Sequence, residues 1–165
     1  KAAIGGMKGV LGGSIVLLMA FVTGEVSKGA GAGTYLVEIM GGDISYMVLP
    51  FILFIISIII AFSTGSSWGT YAVVFPLAMP LAWSIANSGA IPAESAMFFM
   101  TICFACVMDG SVFGDQCSPV SDTTVLSSMS TGCDLMDHVK SQAPQALFAA
   151  GLACVTWFIC LAFFI

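Results

Sequence analysis

Charge is what this sequence lacks. Of its 165 residues only 8% are charged, against about 25% in an ordinary soluble domain. The basic side is thinnest: lysine and arginine together number 4, all of them lysine (Lys1, Lys8, Lys28 and Lys140), beside a single histidine, His138. With no basic patch, nucleic-acid binding has nothing to rest on. The missing arginine also removes the planar fork that often clamps a carboxylate substrate. What fills the space is apolar. Hydrophobic residues make up 59% of the chain and the mean hydropathy is +1.06, so the chain reads as an integral membrane protein.

The 6 cysteines supply no metal framework. Cys103 and Cys106 have C-x-x-C spacing, but they lie inside an apolar run without a second ligand pair. Cys154 and Cys160 fall in the last apolar run, and Cys117, Cys133 and His138 match no zinc spacing. Cysteines so placed read as small hydrophobes.

Apolar runs cover residues 10–22, 47–62, 71–86, 96–108 and 146–165. A helix needs roughly 20 residues to cross a hydrocarbon core of about 30 Å. Several runs are shorter, which predicts half-helices or re-entrant segments. Gly5, Gly9 and Gly13 recur at every fourth position, a spacing that lets membrane helices approach closely. That first helix is expected to reach about Val26 and to break over residues 29–33, where Gly and Ala alternate. Thr34 would cap a short helix over 35–40, ended by Gly41 and Gly42.

One helix from Ile44 to Asn87 would be roughly 65 Å long, twice the membrane. The chain must turn back, as a helix-turn-helix hairpin or as two spans, and the hydroxyl-rich residues 63–70 are the turn. Pro50 lies in the first arm and Pro76 and Pro80 in the second, expected over about 71–87. A helix over 93–108 then delivers Asp109. The pattern predicts a break through Gly110 and Gly114, with Ser118 as N-cap and Pro119 at N1 of a new half-helix over 119–130. Gly132 ends it. Asp134, Asp137, His138 and Lys140 read as a polar surface stretch before the last span. With a cytoplasmic N-terminus, Lys1, Lys8 and Lys140 fall inside and Lys28 outside, in keeping with the positive-inside rule.

The segment from Asp109 to Ser130 gathers three carboxylates, Asp109, Asp115 and Asp122, among Ser and Thr hydroxyls. Broken polar backbone at membrane depth survives only where it is buried in protein or lines a wet cavity, and ionisable groups there are functional candidates. The oxygen donors are Ser118, Ser121, Thr123 and Thr124 beside the break, with Ser63, Thr64, Ser66, Ser67 and Thr70 in the companion turn. Hydroxyls, carbonyls and one or two carboxylates suit a hard monovalent cation, whereas Ca²⁺ cages recruit more acids. Broken helices meeting near the midplane are how secondary transporters bind small ions. A carboxylate stripped of water holds its proton to higher pH, so one group could carry H⁺ or Na⁺, which is enough for antiport. Asp122, on the first turn of the restarted helix, is the leading carboxylate, and the Na⁺ set expected is Asp122, Thr123, Ser118 and Thr64. Asp109, expected to end a helix, sits where the dipole disfavours an anion, which suits a proton carrier.

Gly114-Asp115-Gln116-Cys117-Ser118-Pro119-Val120-Ser121-Asp122-Thr123-Thr124 closely resembles the signature of the NhaC-type Na⁺/H⁺ antiporter family, usually Gly-Asp-His-Cys-Ser-Pro-Ile-Ser-Asp-Thr-Thr. Phe62-Ser63-Thr64-Gly65-Ser66-Ser67-Trp68-Gly69-Thr70 looks like its other hallmark, and His138-Val139-Lys140-Ser141-Gln142-Ala143-Pro144 is similar to a third, milder motif. The resemblance implies an ion-transporter-superfamily fold of two inverted repeats. Residues 1–165, beginning at Lys1 and stopping at Ile165 inside an apolar run, would be the C-terminal part of a single transporter domain, incomplete at both ends, with the site drawn from both repeats. Gln116 stands where the family usually has histidine, and Gln145 where tyrosine is common. The family also includes Na⁺-coupled exchangers of malate and lactate.

The expectation is therefore an all-α polytopic membrane protein holding one inverted repeat, with a helix-turn-helix hairpin or broken span and a discontinuous transmembrane helix. Its predicted work is secondary transport, not enzymology: Na⁺/H⁺ exchange, with Na⁺- or H⁺-coupled organic-anion exchange as the alternative. An intramembrane aspartyl protease fits poorly, because Val112 occupies the first glycine position of its Gly-x-Gly-Asp motif and no Tyr-Asp pair exists. A structural subunit would explain scattered hydroxyls but not three acids around one break. No cofactor is expected. Na⁺ and H⁺ are cargo, membrane lipid is the partner, a homodimer is compatible with this class, and the place is the plasma membrane of a bacterium or archaeon.

Overall fold

The computed structural model describes residues 44–89 and 91–165, together with Leu18, Val22, Val26, Gly29, Ala30, Gly31 and Tyr35. The small-residue stripe at Gly5, Gly9 and Gly13, the cap expected at Thr34, the stop at Gly41 and Gly42, and the three lysines at 1, 8 and 28 lie outside the described residues. At the glycine-rich break, Ala30 N donates to Val26 O at 2.8 Å and Gly31 has φ 68°.

Five α-helices follow: α1 Leu49–Thr64, α2 Ser67–Ala86, α3 Ala96–Cys117, α4 Asp122–Thr131 and α5 Leu135–Phe164, with a 3-10 turn Ala93–Ser95 leading into α3. Among the described residues every regular element is helical. Pro50 stands in the first turn of α1, where its missing N–H would be unpaired anyway. Pro76 and Pro80 lie inside α2 and Pro144 inside α5, a placement that membrane helices tolerate. Among the described residues three helical stretches are long and apolar enough to cross a membrane: Ser67–Ala86, Ala93–Cys117 and Leu135–Phe163. At 16 residues, α1 spans only about 24 Å.

The expected turn over residues 63–70 is tighter than the hydroxyl content suggested. α1 runs to Thr64, Gly65 takes the left-handed conformation at φ 64°, and α2 begins at Ser67, one turn earlier than expected. Ser66 is the N-cap, its Oγ accepting from Gly69 N at 3.2 Å. Two residues therefore reverse the chain.

Gly110 and Gly114 do not break a helix, and this corrects the sequence reading. α3 continues through both to Cys117. Their role is close approach: a methyl on Gly110 would lie 2.5 Å from Phe54 O, and one on Gly114 would lie 2.6 Å from Ile58 O. The two glycines, one turn apart, let the backbone of α1 press against α3. Lipid tails are as apolar as leucine, so helices in a membrane associate through such packing and not through hydrophobic expulsion.

The break comes instead at Ser118–Ser121, and its cause is Pro119. The residue before proline is pushed out of the α region, and Ser118 has φ −78°, ψ 128°. The new helix starts at Asp122 with Ser121 as N-cap, not at Pro119 with Ser118. Gly132, φ 67°, ends α4 as expected. Asp134 then caps α5, accepting from Met136 N at 2.9 Å and Asp137 N at 3.3 Å. The stretch of Asp137, His138 and Lys140 is thus the first turns of the last helix.

The successive contacts of Phe54 with Gly110, of Ile58, Ala61 and Phe62 with Gly114, and of Gly65 with Ser121 make α1 and α3 parallel. α2 returns antiparallel, pairing Ser67 with Asp115 and stacking Phe75 on Phe104, ring centroids 4.7 Å apart. α5 covers the other side of α3 and reaches α1, where Trp157 meets Phe54 edge-on at 5.0 Å. Leu49, Leu53, Phe54, Phe99, Val107 and Leu161 form the core with Cys103 and Cys106, so these two thiols fill apolar space. The outer side of α5, including Phe148, Leu152, Val155 and Phe163, is exposed and apolar, a surface suited to hydrocarbon.

Candidate functional site

Two interruptions of helix meet in this fold. The Gly65–Ser66 reversal lies against the Ser118–Ser121 break, so closely that a methyl on Gly65 would be 2.7 Å from Ser121 N and 2.8 Å from the Val120 carbonyl carbon. Ser118 ties the two together. Its Oγ donates to Phe62 O in the last turn of α1 at 2.7 Å and accepts from Val120 N at 3.2 Å. One orphan carbonyl at the end of α1 is thereby satisfied by a side chain from the other break.

Asp115 is the carboxylate at this crossing. Its Oδ2 accepts from Ser67 Oγ at 2.6 Å and its Oδ1 from Ser121 Oγ at 2.6 Å. Ser67 is the first residue of α2 and Ser121 the N-cap of α4. One carboxylate thus receives hydroxyls from the N-terminal ends of two helices, where the macrodipole favours negative charge. The Ser121 and Thr123 hydroxyls are 2.7 Å apart. Because Ser121 spends its one proton on Asp115, Thr123 is the donor to Ser121. Thr124 Oγ1 reaches back to carbonyls ending α3, Gln116 O at 3.2 Å and Asp115 O at 3.4 Å. Ser118, Ser121 and Thr124 are buried, and Asp115 is half-buried. Among the described residues no buried side-chain oxygen or nitrogen lacks a partner.

The other expected site residues are distributed less centrally. Thr70 is buried and donates to Ser66 O at 2.9 Å, which stiffens the start of α2. Ser63 and Thr64 are exposed and donate to carbonyls of their own helix, Ile59 O at 2.7 Å and Ile60 O at 2.8 Å. Asp122 is exposed on the first turn of α4, where it favours the helix N-terminus. The sequence pattern favours Asp122, whereas the hydrogen bonds converge on Asp115. Asp109 lies inside α3 and not at its end, so the dipole argument made for it no longer applies.

Beside the crossing is a pocket of about 280 Å³ lined by Asp115, Gln116, Thr123, Thr124, Ser127 and Gln142, with Val112. Ser127 and Gln142 were not expected there. Ser127 follows Thr123 by one helical turn, so the spacing of hydroxyls along α4 could have indicated it. Gln142 comes from α5, and only the motif over residues 138–144 hinted at it. Tyr71, one turn after Ser67 on α2, packs between Trp68 and Phe75. The inventory is rich in oxygen and holds one ionisable acid.

The model of the Na⁺/H⁺ antiporter family matches residues 1–163. An uncharacterized protein of Haemophilus influenzae is 37% identical over 150 residues, covering 91% of this chain and 27% of that protein. The malate-2H⁺/Na⁺-lactate antiporter of Bacillus subtilis is 32% identical over 124 residues, 70% of this chain and 24% of that protein. An uncharacterized Na⁺/H⁺ antiporter of Haemophilus influenzae is 33% identical over 81 residues, 49% of this chain and 15% of its own length. The chain thus spans about a quarter of the length of the first two relatives. No solved structure matches it.

Proposed function

The chain belongs to the Na⁺/H⁺ antiporter family, and from that premise and the geometry around Asp115 we propose that it supplies part of the ion path of a secondary transporter exchanging Na⁺ for H⁺. The observation that carries this reading is the pair of 2.6 Å hydrogen bonds that Asp115 accepts from Ser67 and Ser121. They draw two helix interruptions onto one carboxylate. A dehydrated Na⁺ needs several oxygens replacing its water shell, and Asp115, Ser121, Thr123, Thr124 and Gln142 supply them from three helices. The carboxylate gives the single charge that neutralises the cation. Thr124 and Ser118 hold the break in shape, so the oxygens stay in place when the ion leaves. Asp122 adds a second negative charge at the mouth of the break. The host membrane is taken to be the plasma membrane of a bacterium or archaeon.

A second reading keeps the fold and changes the cargo. The likeness to a protein named for malate and lactate exchange supports coupled movement of an organic anion, with the N-terminal ends of α2 and α4 meeting the substrate carboxylate in place of arginine.

One experiment separates them. Everted vesicles containing the full-length transporter are energised to an inside-acid gradient, and its dissipation is followed on adding Na⁺, Li⁺, K⁺ or malate. Na⁺/H⁺ exchange predicts collapse with Na⁺ alone and none with K⁺. Collapse that requires malate favours the second reading, and none with any addition contradicts both.

A further inference from the structure

We propose that Asp109 and the pocket it enters form a proton site separate from the cation site at Asp115, with Gln116 as the wall between them. The inference rests on the Na⁺/H⁺ reading and divides its two cargoes between two carboxylates. Asp109 belongs to a second pocket of about 260 Å³, between α3 and α5, bounded by Phe54, Val112, Phe113 and alanines of α5 such as Ala146 and Ala150. Gln116 is its one other polar side chain, and Gln116 also lines the oxygen-rich pocket beside Asp115.

The two pockets suit different ions. Na⁺ at Asp109 would find one carboxylate and one amide in an apolar cleft, too few oxygens to replace its hydration shell. A proton needs a single acceptor and no shell. Asp109 also lies well inside a stretch, Ala93–Cys117, long and apolar enough to span a membrane, where an unpaired charge is costly and an ionisable group marks a transport path. No cation faces it. From α1 comes Phe54, from the pocket face of α5 come alanines, and Lys140 pairs with Asp137 at the exposed start of α5. The other titratable groups nearby are the Tyr71 phenol on α2 and the Cys106 thiol one turn before Asp109 on α3. Neither supplies a positive charge, so among the described groups only a proton neutralises Asp109.

The two pockets share Val112 and Gln116, and that common wall gives the coupling that antiport requires. A proton on Asp109 removes one negative charge from the surroundings of Asp115 and weakens Na⁺ there. By linkage, Na⁺ at Asp115 weakens the proton at Asp109 to the same degree. The carrier is loaded with one cargo or the other.

The test uses the full-length transporter in phosphatidylethanolamine–phosphatidylglycerol vesicles, as wild type, Asp109→Asn, Asp109→Glu and Asp115→Asn. Exchange of radiolabelled Na⁺ for Na⁺, proton flux driven by a Na⁺ gradient, and half-saturating Na⁺ as a function of pH are measured for each. Asp109→Asn should keep Na⁺ for Na⁺ exchange within about threefold, lose at least about tenfold in proton flux, and show half-saturation that no longer moves with pH. Asp109→Glu should restore flux. Proton flux near wild type in Asp109→Asn overturns the proposal. So does loss of both activities in monodisperse protein, because one shared site would then serve both ions. If Asp109→Asn is not monodisperse, Asp109→Glu decides: a carboxylate moved along a longer stem must shift the pH at which half-saturation changes, and an unshifted value overturns the proposal. Failure of the underlying reading looks different, with wild type moving no protons against Na⁺ or Asp115→Asn binding Na⁺ normally.

Discussion

Gly65 and Ser121 touch backbone to backbone. Gly65 has φ 64°, and a methyl there would sit 2.7 Å from Ser121 N, so nothing larger than hydrogen fits between the hairpin tip and the helix break. The left-handed conformation alone costs an L-residue roughly 1–2 kcal/mol. Gly132 isolates that cost, since it has φ 67° with nothing within 4 Å of an added methyl. Gly132→Ala should therefore lower the melting temperature slightly. Gly65→Ala should lower it by clearly more and abolish transport. Equal shifts in a thermal-unfolding assay would contradict the contact.

The parallel packing of α1 on α3 yields a second expectation. Gly114→Ala places a methyl 2.6 Å from Ile58 O and 2.7 Å from Ala61 Cβ, whereas Gly151 on α5 has nothing within 4 Å. Overpacking typically costs about 1–3 kcal/mol. Gly114→Ala should thus destabilise the purified protein by that order, with Gly151→Ala near neutral. Thermal unfolding of the two variants side by side checks the difference.

Ser67 and Ser121 hold the same carboxylate. A hydrogen bond to a charged group contributes about 1.5–3 kcal/mol, so removing either hydroxyl should weaken Na⁺ by about tenfold or more. The double variant should lose less than the sum, since both act through Asp115. Ser63→Ala, which removes an exposed hydroxyl bonded within its own helix, should leave affinity within about twofold of wild type. Na⁺ titration of exchange in the four variants measures this.

The helices and the polar segment were legible because they rest on local chemistry. Apolar runs, Pro50 at a helix start, Gly132 at a helix end and the Ser-Thr cluster all act through nearest neighbours in the chain. Gly110 and Gly114 were misread for the converse reason. Glycine next to polar residues resembles a break, and only the approach of α1, more than 50 residues earlier, reveals that it serves packing. The restart at Asp122 instead of Pro119 follows the same rule: the sequence contained a good capping pair, but Ser118 was drawn into a bond with Phe62 O. The emphasis on Asp122 came from its place one turn after the expected cap. The centrality of Asp115 depends on Ser67, which is 48 positions away, and no local pattern encodes that distance.

Gln116 faces both pockets and cannot titrate. Gln116→His would introduce a group that is positively charged below pH about 6.5 when unperturbed. That charge, beside Asp115, repels Na⁺. Exchange should therefore fall at acid pH relative to wild type and converge with it at alkaline pH, while the preference for Na⁺ over K⁺ stays. Superimposable profiles of Na⁺-driven proton flux across that range would show that position 116 does not sense the cation site.

The central claim is that Asp115 is the carboxylate that holds the cation. Equilibrium binding of radiolabelled Na⁺ to the purified full-length transporter tests it most directly, comparing wild type with Asp115→Asn and Asp122→Asn. Saturable binding should be lost in Asp115→Asn and merely weakened in Asp122→Asn, which removes an exposed charge at the mouth of the break. Wild-type binding in well-folded Asp115→Asn protein, with loss in Asp122→Asn, would contradict the account.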